Sequence, residues 1–242
     1  MAAILGQLQA RGDPGAISDI AVDVTGALGV DGLTVSLATG SDLTVTELLW
    51  CTDTTAREFE DLQLTLGEGP GPEAVRTGAM VWVPDLTLIS TARWPALAVE
   101  APALTARAVF CFPLAIGAIK VGVLSAVRRT PGPLTPAQAD DALVLASALT
   151  ARFLNSDEPP SGGLDQPDPL CDLQHAVVHQ ATGMLSAQLS LPLPQALLRL
   201  RAHAYSSGRS IIDTSKDVVG RRLRLDHRGN GEGPTTPVAD KD

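Results

Sequence analysis

The chain has 242 residues, 45% of them apolar and 19% charged, with a net charge of −9; this excludes a disordered chain and suffices for one large domain or two modest ones with their own cores. Aromatic residues make up only 3%, so the interior must consist mainly of Ala, Val and Leu. No apolar run approaches the roughly 20 residues that span a bilayer, and the N-terminus lacks the order of a secretory signal, so a cytoplasmic protein without a membrane segment is expected.

In chain order, residues 16–28 place apolar side chains at helical spacing, and "GLTVSLA" (32–38) and "LTVTELLW" (43–50) alternate as half-buried strands do. "TTAREFEDLQ" predicts a short helix, Gly67-Glu68-Gly69-Pro70-Gly71 a turn into the helix "PEAVRTG", and "AMVWVPDL" a strand. "TARWPALAVEAPAL" predicts an irregular helix, and "ARAVFCFPLAIGAIKVGVLSAVRR" a hairpin turning at Gly117-Ala118. A long helix, "LTPAQADDALVLASALTARFL", follows, with Thr135 as N-cap and Pro136 in its first turn. Strand pairs separated by helices predict an α+β domain with a mainly antiparallel sheet, its first and last helices on one face.

The segment "NSDEPPSGGLDQPDP" (155–169) accumulates Pro, Gly, Ser and Asp and reads as a linker, and residues 229–242 as a flexible tail. This divides the chain into a body (1–154), a linker (155–169), a C-terminal unit (170–228) and the tail. Charge follows the division: residues 1–170 carry nine Lys+Arg against twenty Asp+Glu, residues 171–229 eight against four. A basic segment on an acidic body suits either a polyanion or a solvated helix surface.

The body offers little chemistry. The Gly67–Gly71 run is not G-x-G-x-x-G, lacks a G-K-[ST] ending and holds a glutamate where phosphate would be repelled. Asp53, Glu58, Glu60, Asp61, Glu68 and Glu73 have no nearby His or Lys with which to form an acid and base pair, and read as solubilising surface. Asp85 follows a strand, but no acidic pair precedes it as a phosphorylation receiver needs. Cys51, Cys111 and Cys171 are odd in number and have no C-x-x-C spacing, so they read as buried free thiols. The body contains no histidine to ligate haem. No enzyme, metal or cofactor is expected.

The C-terminal unit predicts three helices, at about 170–188, 194–206 and 212–224, forming a small bundle. At 100° per residue, Leu173, Val177, Ala181 and Met184 form an apolar stripe on the first, with Ala176, Gln180, Gly183 and Ala187 beside it as a ridge of small residues. Such a ridge admits close approach by a partner helix or a nucleic-acid strand. On the second helix Ala196, Leu197, Leu200 and Ala204 face one way, with Arg201 between that face and Tyr205. Arg201 suits a phosphate or base edge, or equally an internal pair with Asp213 or Asp217. On the third, Ile212, Val219 and Leu223 point inward, and Arg221, Arg222 and Arg224 outward, where they suit phosphate or a solvated helix end. His175 and His179 stand at i, i+4, but "HAVVH" lacks the glutamate of H-E-x-x-H and no third metal ligand is apparent.

Two family resemblances emerge. "LGEGPGPEAVRTG", "VWVPDL", "ARWPALAVEA", "ARAVFCFPL" and "GVLSAVRRTPGPLTPAQADDALVLA", in that order over residues 66–149, resemble the GAF domains of actinobacterial regulators. "HQATGML", "QALLRLRAHAY" and "DVV" resemble an ANTAR domain, with Ala181, Gly183, Met184, Ala196, Leu200, Arg201, Ala204, Val218 and Val219 at matching positions. Where that family commonly has Asp-Val-Ala, this chain has Asp213-Thr214-Ser215.

The resemblances imply a GAF-like α+β sensory domain followed by an all-α three-helix ANTAR-like bundle. They imply a regulator whose signal, a small molecule or a protein, acts at the GAF domain, and which, as a homodimer, binds RNA stem-loops in a nascent transcript and prevents termination. Ala181, Gly183, Arg201, Ala204, Tyr205, Arg221 and Arg222 would form the RNA surface. Tyr205 is the only tyrosine, so arginine planes would carry much of the stacking on bases. A DNA-binding module and a dimerisation module without nucleic acid remain open as alternatives.

Overall fold

The computed structural model describes residues 23–39, 45–155, 169–226 and 231–232. The start of the first expected helix, the centre of the expected linker and most of the expected tail lie outside them. Two compact units are present, residues 1–172 and 173–242.

The first unit is built on five strands, β1 (Gly32–Thr39), β2 (Val45–Cys51), β3 (Val81–Val83), β4 (Ala108–Ile116) and β5 (Ile119–Arg128), in the order β2-β1-β5-β4-β3. Every neighbouring pair is antiparallel. The two expected strands β1 and β2 pair, and the expected hairpin of β4 and β5 turns over Gly117-Ala118. Gly122 of β5 lies opposite Leu37 of β1. A Cβ there would lie 2.1 Å from the Ser36 carbonyl oxygen, so the two strands approach in a way only glycine permits.

Both sheet faces are covered, which is why β4 is apolar throughout and β5 has Ser125 as its one polar side chain between Val121 and Val127. Phe110, Phe112 and Leu114 of β4 and Leu124 and Ala126 of β5 pack with Val24 and Leu28 of the helical residues 23–28. The same cluster takes in Ala142, Leu145, Ala146 and Leu149 of α4 (Pro136–Asn155). The first and last helices thus share one face, as the periodicity predicts.

On the opposite face lie α1 (Thr54–Leu66), α2 (Pro70–Thr77) and α3 (Pro95–Glu100), which give Ala56, Phe59, Ala74, Val75 and Leu97 to a second cluster with Val109, Cys111, Val123 and Val127. Asp53 caps α1 by accepting from the Thr55 and Ala56 amides at 2.8 and 3.1 Å. Gly67 ends α1 at φ 72°, a left-handed position suited to glycine. The "GEGPG" run is therefore a helix stop followed by a helix start.

Several carboxylates expected at the surface are structural. Glu60 is only 2% exposed, with Ser36 Oγ donating to Oε1 at 2.7 Å and Gln63 Nε2 to Oε2 at 3.0 Å. Gln63 Oε1 in turn accepts from the Gly71 amide at 2.8 Å. Glu68 accepts from the Ala96 and Leu97 amides at 2.7 and 3.0 Å, closing the start of α3. A satisfied carboxylate can be buried, and sequence spacing alone does not reveal its partners. Cys111 is buried as expected, and burial pushes its thiol well above the usual range. Cys51 is instead half-buried, and the Cys171 side chain lies outside the described residues.

The second unit holds α5 (Pro169–Leu189) from Leu173 onward, α6 (Leu193–Ser206) and α7 (Ile211–Val219), then β6 (Arg224–Leu225) paired with β7 (Gly231–Glu232). Ala196, Leu197, Leu200 and Ala204 are buried as expected. On α5 the buried line is Val178, Ala181, Leu185 and Leu189, rotated one residue from the expected one, with Val177 and Met184 half-buried. Adjacent apolar pairs, Val177-Val178 and Met184-Leu185, leave the phase of this weakly amphipathic helix undetermined by pattern. The Leu173 side chain lies outside the described residues.

The third helix is shorter than its pattern predicts. It ends at Val219, and Arg221 adopts φ 56°, so Arg221 and Arg222 lie in a turn and Arg224 in β6 rather than on a helix. Its inward side is Ile211, Ile212, Thr214, Ser215 and Val218, with Val219 and Leu223 half-buried. At the Asp213-Thr214-Ser215 departure, Thr214 Oγ1 donates to the Ser210 carbonyl at 2.9 Å and Ser215 Oγ to that of Ile211 at 2.6 Å. Both hydroxyls are buried and satisfied within their own helix.

Candidate nucleic-acid interface

The residues singled out in the second unit divide by burial. Ala181 and Ala204 are both 0% exposed, so in this fold their side chains are packing residues and not contact residues, a correction to the expected surface. Gly183 is half-buried, and a Cβ built on it meets nothing within 4 Å. Its neighbours on that side, Ala176, Gln180 and Ala187, are exposed. The ridge is thus open within its own unit, and the glycine is not explained by internal packing.

Arg201 is half-buried on α6, and burial pushes its guanidinium down to about 10, which leaves it cationic near neutral pH. The acids expected to compete for it have other partners. Lys216 reaches Asp213 at 3.4 Å, while Arg209 and Arg222 each reach Asp217 at 2.7 Å. Those two guanidiniums, donating hydrogen bonds, hold the Asp217 carboxyl below its usual range. Asp217 thereby ties the residues flanking α7 together. Arg222 keeps most of its side chain in solvent, and Arg221 is exposed.

Leu198, missed in the sequence reading, stands on the outward face of α6, 66% exposed. Leu198, Arg201, Ala202 and Tyr205 fall at i, i+3, i+4 and i+7, so one face carries an aliphatic, a guanidinium and a phenol side by side. Tyr205 is 47% exposed. The signal available was an apolar residue out of phase with the buried stripe of α6. His179 is exposed, and the His175 side chain lies outside the described residues. Among the described residues no cluster of His, Cys, Asp and Glu could hold a metal ion.

In the first unit, a cleft of about 200 Å³ is lined by Gly67, Glu68, Gly69, Pro72, Glu73, Arg76, Arg93 and Trp94. Arg93 spans it, donating to Glu73 at 2.5 and 3.0 Å and lying 4.3 Å from the centroid of the Trp94 ring. The hydrogen bonds and charge of Arg93 lower the Glu73 carboxyl despite partial burial. The sequence reading missed this trio, because Glu73 lies 20 residues before the adjacent Arg93 and Trp94.

No family model matches the sequence, and no curated protein matches it. Among solved structures, the chain is similar to the GAF domain of an Acinetobacter phosphoenolpyruvate-protein phosphotransferase, at 12% identity over 63% of this chain and 89% of that one, TM-score 0.48. It is similar to the corresponding GAF domain from Coxiella burnetii, at 16% identity over 63% and 89%, TM-score 0.48. It is also similar to free methionine-R-sulfoxide reductase from Neisseria meningitidis, at 17% identity over 63% and 85%, TM-score 0.48. The five-stranded antiparallel sheet with flanking helices, seen directly here, is the architecture that the GAF resemblance implies. No helix among the described residues is long and apolar enough to cross a membrane.

Proposed function

We propose that this protein is a transcription regulator in which the GAF-like unit senses a signal and the C-terminal bundle binds RNA stem-loops and causes antitermination, as its ANTAR resemblance implies. The observation that carries the reading is the outward face of α6, where Leu198, Arg201 and Tyr205 stand in line on the one basic segment of an acidic chain. A guanidinium supplies phosphate contact or a stacking plane, and Tyr205 with the Leu198 side chain supplies a surface for unstacked loop bases. Arg221 and Arg222 add positive charge at the exit of α7. The input is a small molecule or a partner protein at the first unit, and the protein acts in the cytoplasm as a homodimer without catalytic turnover. Sequencing RNA crosslinked to the protein in its own cell tests this reading: enrichment of transcript leaders with paired stem-loops supports it, and recovery of no RNA above a mock control rejects it.

A dimerisation module without nucleic acid is the second reading, favoured by the open ridge at Gly183, which another helix could enter. Salt-independent self-association together with no affinity for any hairpin would select it.

A further inference from the structure

We propose that Cys51 is a peroxide-oxidisable thiol, with Arg57 and Thr34 forming a small site that holds the sulfenate oxygen. Cys51 ends the edge strand β2, where it is half-buried and within reach of a molecule as small as hydrogen peroxide. From the first turn of α1, Arg57 donates from Nη2 to Cys51 Sγ at 3.4 Å. A guanidinium beside sulfur is the electrostatic setting that favours a thiolate, the nucleophile in this oxidation.

Thr34 supplies an independent observation. It is the direct cross-strand partner of Cys51, so the two side chains rise from the same sheet face with Cβ atoms about 5 Å apart. Thr34 is 0% exposed, and its Oγ1 has no hydrogen-bond partner. An unpaired buried hydroxyl is destabilising, because it has lost water without gaining a protein partner. It lies toward α1, since a Cβ on Gly32, two residues earlier on the same face, would touch Ala56 and Asp53. One oxygen added to Cys51 sulfur would present an anionic acceptor between this donor and the Arg57 fork.

The step balances. The Cys51 thiolate attacks one oxygen of hydrogen peroxide, an S–O bond forms and the O–O bond breaks, and hydroxide leaves and takes a proton to become water. Sulfur is oxidised by two electrons and the peroxide reduced by two. The other described thiol is an internal contrast: Cys111 is fully buried, donates to Ser125 Oγ at 3.6 Å and has no cation beside it.

The test uses the full chain carrying Cys171→Ser, treated with stoichiometric hydrogen peroxide and trapped with dimedone, with the adduct mapped by peptide mass spectrometry. Labelling is expected on Cys51 and not on Cys111, at a rate at least tenfold lower in Arg57→Gln. Thr34→Val removes the unpaired hydroxyl at nearly constant volume; it should leave the melting temperature unchanged or higher yet cut recovery of the Cys51 adduct at least threefold. A merely structural role for Thr34 would not separate those two readouts. An unlabelled Cys51, labelling of Cys111 as fast as Cys51, or equal adduct yields in parent and Thr34→Val overturns the proposal.

Discussion

Ser36 Oγ donates to Glu60 Oε1 across the interior between β1 and α1, at 2.7 Å, with both residues buried. Glu60→Ala leaves Ser36 and Gln63 without an acceptor and opens a cavity, and should destabilise the first unit by roughly 2–4 kcal/mol. Urea unfolding followed by circular dichroism measures it, and a loss under 1 kcal/mol would mean that the network is dispensable.

Two glycines should respond in opposite senses. Gly122→Ala drives a Cβ into the Ser36 carbonyl and should cost about 3 kcal/mol or more, or shift the β1–β5 register. Gly183→Ala meets nothing and should raise helix stability by roughly 0.5–1 kcal/mol. Differential scanning calorimetry of the two variants reads both signs.

The Asp217 pairs make stability depend on pH with a definite sign. The folded-state pKa of Asp217 is depressed by hydrogen bonds from Arg209 and Arg222, so its contribution is fully present above the unfolded value of about 3.9 and is lost as pH falls through the lower folded value. Asp217→Asn should therefore lower stability near neutrality by a margin that shrinks as pH drops below about 4. Denaturant titrations of both proteins from pH 7 to pH 2.5 check this.

Arg201 stands on the outward face of α6 in line with Leu198 and Tyr205, and that position makes it the residue to test for RNA contact. Arg201→Ala is expected to weaken hairpin binding roughly tenfold and to reduce the salt slope by about 1, with the helical content unchanged. Fluorescence anisotropy over a salt series tests it; equal affinities with the fold intact would remove Arg201 from the interface.

The α+β body was readable because its punctuation is local: Pro136 beside the Thr135 cap, Gly117-Ala118 between two apolar runs, and Gly67 after α1. The roles of Glu60, Glu68 and Glu73 were not, since their partners Ser36, the α3 amides and Arg93 lie 20 or more residues away. The outward position of Tyr205 followed from periodicity on α6, where Ala196, Leu197, Leu200 and Ala204 recur on the buried side, while Leu198 broke that pattern and was missed. On α5, neighbouring apolar pairs hid the phase, and Ala181 proved to be core. The truncated α7 turned on Gly220, a helix-ending residue that the apolar spacing of Val219 and Leu223 masked.

The most direct test of RNA recognition by the bundle is competition binding of the full chain with a stem-loop RNA and a duplex DNA of matched length at fixed salt. The account predicts preferential binding of the hairpin, weakened by added salt and by Gly183→Leu in a protein that remains folded. Preference for the duplex, or no salt-dependent binding to any hairpin from the leaders of its own transcripts, would contradict it.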